Sequence, residues 1–301
     1  MYFKNALEAL GHTPLVELPN MGKNKNVHIL AKLEGQNLGG SASTKDRVAK
    51  YMIDVAVKNG QLNRDMTIIE ATSGNTGISL AWLGKKMGYN VTIVMPDNMS
   101  IERQLLIKTF GAELILTKAK DGVLGSMNLV KEMVAKDKRY FMADQFANPA
   151  NPLAHYETTG VEILEDFPYK KIDYFIAGIG TGGTITGITR RLREKFPLMN
   201  TIGVEPPLGD CIQGLRCLET FIPPVLDLSL ITQRCYITSK QANEAAKTLL
   251  EKEGIFCGQS AGAAIYKTVQ LANEIEEGTI VTVIPDGGLK YISMDFWTKQ
   301  S

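Results

Sequence analysis

No apolar run in this chain of 301 residues approaches the ~20 residues needed to span a bilayer, which excludes a helical membrane protein. Excess charge is also missing. The net charge is +1, so neither nucleic acid nor an anionic membrane surface is implied as a partner. Histidine is scarce: His12, His28 and His155 lie too far apart to suggest a metal cluster, and packing or turn roles are expected of each. The four cysteines, Cys211, Cys217, Cys235 and Cys257, form no Cys-x-x-Cys pair and have no histidine beside them. That argues against zinc, and buried or semi-buried thiols are expected instead. The first residues, Met-Tyr-Phe-Lys-Asn-Ala-Leu-Glu-Ala-Leu, carry an acidic side chain and lack the apolar core of a secretory signal. These absences leave a cytoplasmic enzyme acting on small molecules, with no metal, as the default.

What is present is an ordinary globular composition, 44% apolar and 22% charged, in one large or two modest domains. Strand-like runs are read over 27–33, 67–70, 90–95, 113–116, 140–142, 173–177, 201–204 and 280–284. Helix-like runs alternate with them over 45–58, 75–87, 101–110, 123–135, 153–166, 183–195, 240–251 and 261–274. This alternation predicts an α/β architecture of open, twisted, mostly parallel sheets flanked by helices. The Pro-, Gly- and Cys-rich 205–235 region reads as a long irregular functional loop. At Asn148-Pro149-Ala150-Asn151-Pro152 the prolines interrupt both periodicities, and a crossing between two lobes is expected there. Ligands would then bind in the cleft beyond the C-terminal ends of the strands.

Two glycine-rich loops and one lysine carry the chemistry. Thr72-Ser73-Gly74-Asn75-Thr76-Gly77 and Gly180-Thr181-Gly182-Gly183-Thr184 each follow a strand-like run and open a helix-like one. Backbone N–H groups and the helix dipole make such places anion sites. Hydroxyls in the first loop suit a carboxylate, and Asn75 offers an amide to a phenolic oxygen. Glycines in the second let the backbone close on a phosphate. Lys45 stands at a helix start, after the cap-type residues Ser41, Ser43 and Thr44. The dipole is unfavourable there by about 0.3–1 kcal/mol and helps depress the amine pKa, as a Schiff-base lysine requires. A phosphate site, a carboxylate site and an amine together suggest pyridoxal phosphate acting on an amino acid. A dinucleotide is the competing reading of the second loop, but Pro197, Leu198 and Met199 stand where its acidic residue belongs. Ser260 is expected to cap the last long helix; its functional alternative is a hydrogen bond to a pyridine nitrogen.

Taken together, the chain resembles the cysteine synthase / cystathionine β-synthase family of fold-type II pyridoxal-phosphate enzymes, and most of all the bacterial cysteine synthase B (O-acetylserine sulfhydrylase) type. The resemblance runs nearly end to end. It rests on Gly11-His12-Thr13-Pro14-Leu15-Val16, on Glu70-Ala71 followed by the first loop, and on Met95-Pro96-Asp97-Asn98-Met99-Ser100. Asp144-Gln145-Phe146, Thr158-Thr159-Gly160, the second loop and Glu253-Gly254-Ile255-Phe256-Cys257-Gly258 complete it. It implies a tryptophan synthase β-like fold, with a larger cofactor-binding domain (1–36 and 149–301) and a smaller mobile substrate-binding domain (37–148). It further implies that Lys45 carries the cofactor and moves the Cα proton, and that Asn75 contacts the cofactor O3′. Gly180, Thr181, Gly182, Gly183 and Thr184 would cradle the phosphate, and Ser260 would face the ring nitrogen. Thr72, Ser73, Gly74, Thr76 and Gln145 would bind the substrate carboxylate.

The implied reaction is β-replacement: an activated serine such as O-acetyl-L-serine passes through an α-aminoacrylate, and sulfide adds to give L-cysteine. A cysteine or serine β-lyase, or a cystathionine β-synthase, shares the first half-reaction, and a non-catalytic regulatory homologue is a further alternative. A homodimer is also implied. Two departures stand out. The family's usual Asn-Pro-x-Gly-Ser-Val-Lys-Asp-Arg becomes Asn37-Leu38-Gly39-Gly40-Ser41-Ala42-Ser43-Thr44-Lys45, without the proline and two residues longer. The B-type Arg-Arg-Trp stretch becomes Arg216-Cys217-Leu218, which gives no support to thiosulfate as sulfur donor.

Overall fold

The computed structural model describes residues 2–294 and Trp297. In chain order the described residues form β1 (Leu15–Glu17), β2 (Val27–Leu33), α1 (Thr44–Lys58), β3 (Thr67–Ala71), α2 (Asn75–Met87), β4 (Asn90–Pro96), α3 (Ile101–Thr109), β5 (Glu113–Thr117), α4 (Gly122–Lys136) and β6 (Tyr140–Met142). There follow α5 (Ala150–Ala154), α6 (Gly160–Asp166), β7 (Tyr174–Gly178), α7 (Gly183–Lys195), β8 (Asn200–Glu205), β9 (Gln233–Tyr236), α8 (Ser239–Glu253), α9 (Gln259–Ala272) and β10 (Gly278–Ile284). They build two sheets. One has six strands in the order β1-β2-β10-β7-β8-β9, and the other has four in the order β5-β4-β3-β6. Only the β1–β2 pair is antiparallel; the other ladders are parallel.

Parallel sheets carry helices on both faces, so their central strands are apolar throughout rather than alternating. That is why β4 and β10 read as continuous hydrophobic runs and are buried along nearly their whole length. Each sheet lies between two apolar clusters. Ile29, Ile176, Ile202 and Ile280 pack on one face of the larger sheet, and Phe175, Ile188, Val281 and Val283 on the other. The smaller sheet is covered by Ile68, Ile93, Met52 and Leu83 on one side and by Ile69, Val94 and Val130 on the other. The loop after β3 leaves a strand flanked by β4 and β6, and the loop after β7 leaves one flanked by β10 and β8. Both are places where the strand order reverses direction, which is where open α/β sheets form ligand crevices.

Three expectations need correction. The single helix read over 153–166 is instead α5, a π turn over His155–Thr159, and α6. Thr158 Oγ1 donates to the Ala154 carbonyl at 2.6 Å within this turn, and the widened backbone directs His155 towards α7. The prolines near 150 do not break the helix either: Pro152 lies in the first turn of α5, where its missing N–H is no loss. The chain does pass there from the last strand of the smaller sheet towards β7. The 205–235 region is largely irregular, yet its end enters β9, an edge strand too polar for its periodicity to show.

Buried ion pairs fix α1, the helix that begins beside Lys45. Arg47 Nε and Nη2 donate to Glu34 at 2.7 and 2.8 Å, and Nη2 also donates to Glu162 Oε2 at 2.7 Å. Lys32 Nζ lies 2.9 Å from Glu162. Burial alone would raise the Glu162 pKa, but Arg47 and Lys32 overcome that and bring it from 4.5 to about 2. A carboxylate depressed in this way stabilises the fold above its unfolded pKa and loses that contribution as pH falls through the folded value. Acid unfolding is therefore expected to steepen between about pH 4.5 and 2, and Glu162→Gln should flatten that limb of a stability–pH curve. An unchanged limb would assign the acid sensitivity elsewhere.

Candidate active site

The lysine loop is organised by one buried anion. Asp46 accepts from the backbone N–H groups of Ser41 (3.1 Å) and Ser43 (3.0 Å) and from the Ser79 hydroxyl (2.8 Å). Ser43 caps α1, with its Oγ accepting from Lys45 N at 3.1 Å. The Lys45 amine donates to Thr44 Oγ1 at 3.1 Å. Its pKa is lowered from 10.5, first by burial, with Asp286 and Glu34 opposing and Lys290 adding to the effect. Desolvation, and not chiefly the helix dipole, is thus the cause of the depression expected from the sequence. A shift in this direction favours the neutral amine, the form that attacks a carbonyl.

The loop after β3 faces the same cleft. Thr72 Oγ1 accepts from Gly74 N at 3.0 Å, closing the turn that starts α2. Thr76 Oγ1 donates to Gln145 Oε1 at 2.6 Å, and Gln145 Nε2 donates to the Ala71 carbonyl at 3.2 Å. Asn75 Nδ2 donates to Asp286 at 2.8 Å, and its buried Oδ1 has no partner. The loop after β7 closes from the other side. Gly182 adopts φ +86°, open to glycine, and a Cβ on Gly183 would lie 1.9 Å from Asn151 Oδ1. Asn151 Nδ2 donates to Thr181 Oγ1 at 3.0 Å and to the Gln145 carbonyl at 2.7 Å, which joins the two loops.

Lys45, Asn75, Gly180, Thr181, Gly182, Thr184 and Ser260 line one cavity. An adjoining cavity of about 220 Å³ shares Lys45, Asn75, Gly180 and Thr181 and adds Thr72, Ser73, Thr76 and Gln145. Gly74 and Gly183 shape these walls without lining them. Ser260 does not cap α9, contrary to expectation. The cap position is Gly258, with no side-chain bond, and Ser260 is turned into the cavity at 5% exposure.

Sequence reasoning missed other residues in the cleft or packed behind its walls. Asp286 follows β10 at a strand C-terminus, a position that could have marked it; it accepts from Asn75 and, at 2.6 Å, from Tyr291 Oη. His155 was expected only to pack or turn, but an imidazole nitrogen lies 3.1 Å from Thr184 Oγ1. Burial holds its pKa well below 6.5. Arg216 lies over both the Phe146 and Phe221 rings, 4.9 and 5.0 Å from their centroids, with its Nε unpaired. Cys211 is exposed at the cleft rather than buried.

The profile of the pyridoxal-phosphate dependent enzymes matches residues 6–286. The chain belongs to this family. Within it, the chain is 42% identical to a cysteine synthase of Buchnera aphidicola, over 96% of its own length and 94% of that protein. Among solved structures, the cysteine synthase of Entamoeba histolytica superposes with a TM-score of 0.92 at 38% identity, covering 100% of this chain and 92% of that one. A hydrogen sulfide-producing enzyme from Fusobacterium nucleatum superposes with a TM-score of 0.90 at 41% identity, over 96% of this chain and 100% of that one. The chain is thus a cysteine synthase-type member of the pyridoxal-phosphate family. Its cleft also fits that cofactor: a depressed amine and a glycine cradle surround one cavity. No helix among the described residues is long and apolar enough to cross a membrane.

Proposed function

We propose that this protein forms L-cysteine by β-replacement, from O-acetyl-L-serine or another activated serine and sulfide. The observation that carries the proposal is the Lys45 amine, its pKa lowered by burial, set in one cleft between the loops after β3 and β7. Lys45 Nζ would hold the cofactor through its aldehyde, Gly180, Thr181, Gly182, Gly183 and Thr184 would cradle its phosphate, and the Asn75 amide would serve its phenolic oxygen. When bound, the cofactor supplies an electron sink for the pair left on Cα. The Ser260 hydroxyl would face the ring nitrogen, and a neutral partner there would leave that nitrogen unprotonated and favour elimination over transamination. Thr72, Ser73, Thr76, Gln145 and the Gly74 backbone hold the substrate carboxylate. Lys45 Nζ, once released, removes the Cα proton and later returns it.

Residues 37–148 form the smaller, mobile substrate domain, and 1–36 with 149–301 the cofactor domain. The smaller sheet lies entirely inside the first span, although Ala150 and Ala154 join its apolar cluster from beyond it. Family resemblance supports a cytoplasmic homodimer.

A second reading runs the same first half-reaction on cysteine, as a β-lyase releasing sulfide. It is favoured by the likeness to the hydrogen sulfide-producing enzyme of Fusobacterium nucleatum. Assaying both directions on one preparation separates them. Faster cysteine formation from O-acetylserine and sulfide is expected, and faster sulfide release from cysteine would favour the lyase. Gln145→Ala should raise KM for O-acetylserine by about 10–100-fold, the worth of one hydrogen bond to a charged group. Cofactor content should stay intact, and its loss would show that the residue serves the cofactor instead.

A further inference from the structure

We propose that Lys290 is a positioning residue for Lys45: its buried ammonium pins the carbonyls of the lengthened lysine loop and sets the charge facing the Lys45 amine. The inference rests on Lys45 being the cofactor lysine. The loop has two features that call for support. It is two residues longer than the family's usual form, and Ala42 adopts φ +45°, a left-handed conformation that residues with a Cβ rarely take. Such conformations persist where the surroundings over-determine them.

The surroundings here divide the backbone groups by charge. Asp46 accepts from the N–H groups of Ser41 and Ser43, as described above. On the carbonyl side, Lys290 Nζ donates to Ser41 O and, at 3.4 Å, to Ala42 O. The anion thus takes the donors and the cation the acceptors, leaving the turn little freedom. Lys290 is 7% exposed, and its carboxylate neighbour Asp286 lies 3.7 Å away. Asp286 is bridged to Ser43, and Thr44 N donates to the adjacent Pro285 carbonyl at 2.9 Å. The segment after β10 therefore holds the loop at four consecutive residues, Ser41 to Thr44.

Lys290 also acts through its charge. Of the groups that face Lys45, the carboxylates Asp286, Glu34 and Asp46 favour its protonated form, whereas Lys290 disfavours it. Burial pulls the Lys290 ammonium below its ordinary range, while Asp286 and Asp46 act to keep it charged. Without Lys290, Asp286 faces Lys45 unopposed and the Lys45 nitrogen holds its proton more tightly.

The test uses holoenzyme of the parent, Lys290→Met, Lys290→Arg and the double variant Lys290→Met/Ala42→Gly. Cofactor content, the pH titration of the visible cofactor band, kcat and KM for O-acetylserine are measured on each. Lys290→Met is expected to retain cofactor, to lose about tenfold or more in kcat with little change in KM, and to titrate at higher pH than the parent. Ala42→Gly should restore part of that kcat, because glycine takes the turn without a clamp. Lys290→Arg keeps charge and donors, so it should titrate like the parent. Should Lys290→Met fail to fold, the arginine variant still decides, since a displaced titration there contradicts the proposal. Parental kcat and titration in Lys290→Met, or loss of kcat with an unmoved titration and no rescue by glycine, overturns it. The band reports on Lys45 whether or not O-acetylserine is the substrate, so a failed β-replacement assay leaves this inference separately testable.

Discussion

Lys45→Ala is expected to abolish the covalently held cofactor and to lower turnover by about 10³-fold or more. Two proposed roles vanish with this side chain. The nitrogen proposed to fix the cofactor aldehyde is lost, and so is the proposed base for the Cα proton, a contribution of about 10²–10⁴-fold on its own. No neighbouring amine replaces it. Lys290 is buried with its Nζ committed to the carbonyls of Ser41 and Ala42. The visible absorption band of the purified variant, together with cysteine formation, reads both losses. A variant that keeps the band and most of its activity would require a different lysine.

Gly183→Ala is expected to weaken cofactor binding by crowding the proposed phosphate cradle. Its Cβ would lie 1.9 Å from Asn151 Oδ1 and 2.5 Å from Cγ, well inside contact distance. Asn151 cannot yield freely, because its amide nitrogen holds both Thr181 and the Gln145 carbonyl. Overpacking of this kind costs about 1–3 kcal/mol, or roughly 5–150-fold in affinity if it falls on the bound state. Spectroscopic titration of the apoprotein with pyridoxal phosphate should show that weakening. Unchanged cofactor affinity would mean that the loop after β7 does not carry the phosphate.

Much of the fold was legible because parallel sheets buried on both faces leave unbroken apolar runs such as those of β4 and β10. Elements with no such run escaped. β1 is three residues long and half-exposed, and β9 is a polar edge strand. The π turn at His155 was invisible because neither apolar period nor propensity marks a single inserted residue. In the cleft, residues inside contiguous motifs were readable from their order. Tyr291 and Arg216 come to the cleft, and Asp286 and Lys290 to the lysine loop beside it, from distant parts of the chain, and only the packing of both sheets reveals that. Ser260 was read as a cap because hydroxyls at helix starts usually are; the backbone of Gly258 starts α9 instead, and leaves the hydroxyl free to face the cavity.

The lysine loop was the least typical part of the sequence, and its structure gives a physical reason for the retained position of Lys45. Asp46 and Lys290 hold a longer turn from its two sides, so Lys45 still stands at the start of α1, with its amine desolvated. The proposed role of Lys45 is tested most directly by reducing the holoprotein with borohydride and mapping the modified peptide by mass spectrometry. A phosphopyridoxyl group on Lys45 is expected. Its attachment to any other lysine, Lys290 included, would contradict the proposed site.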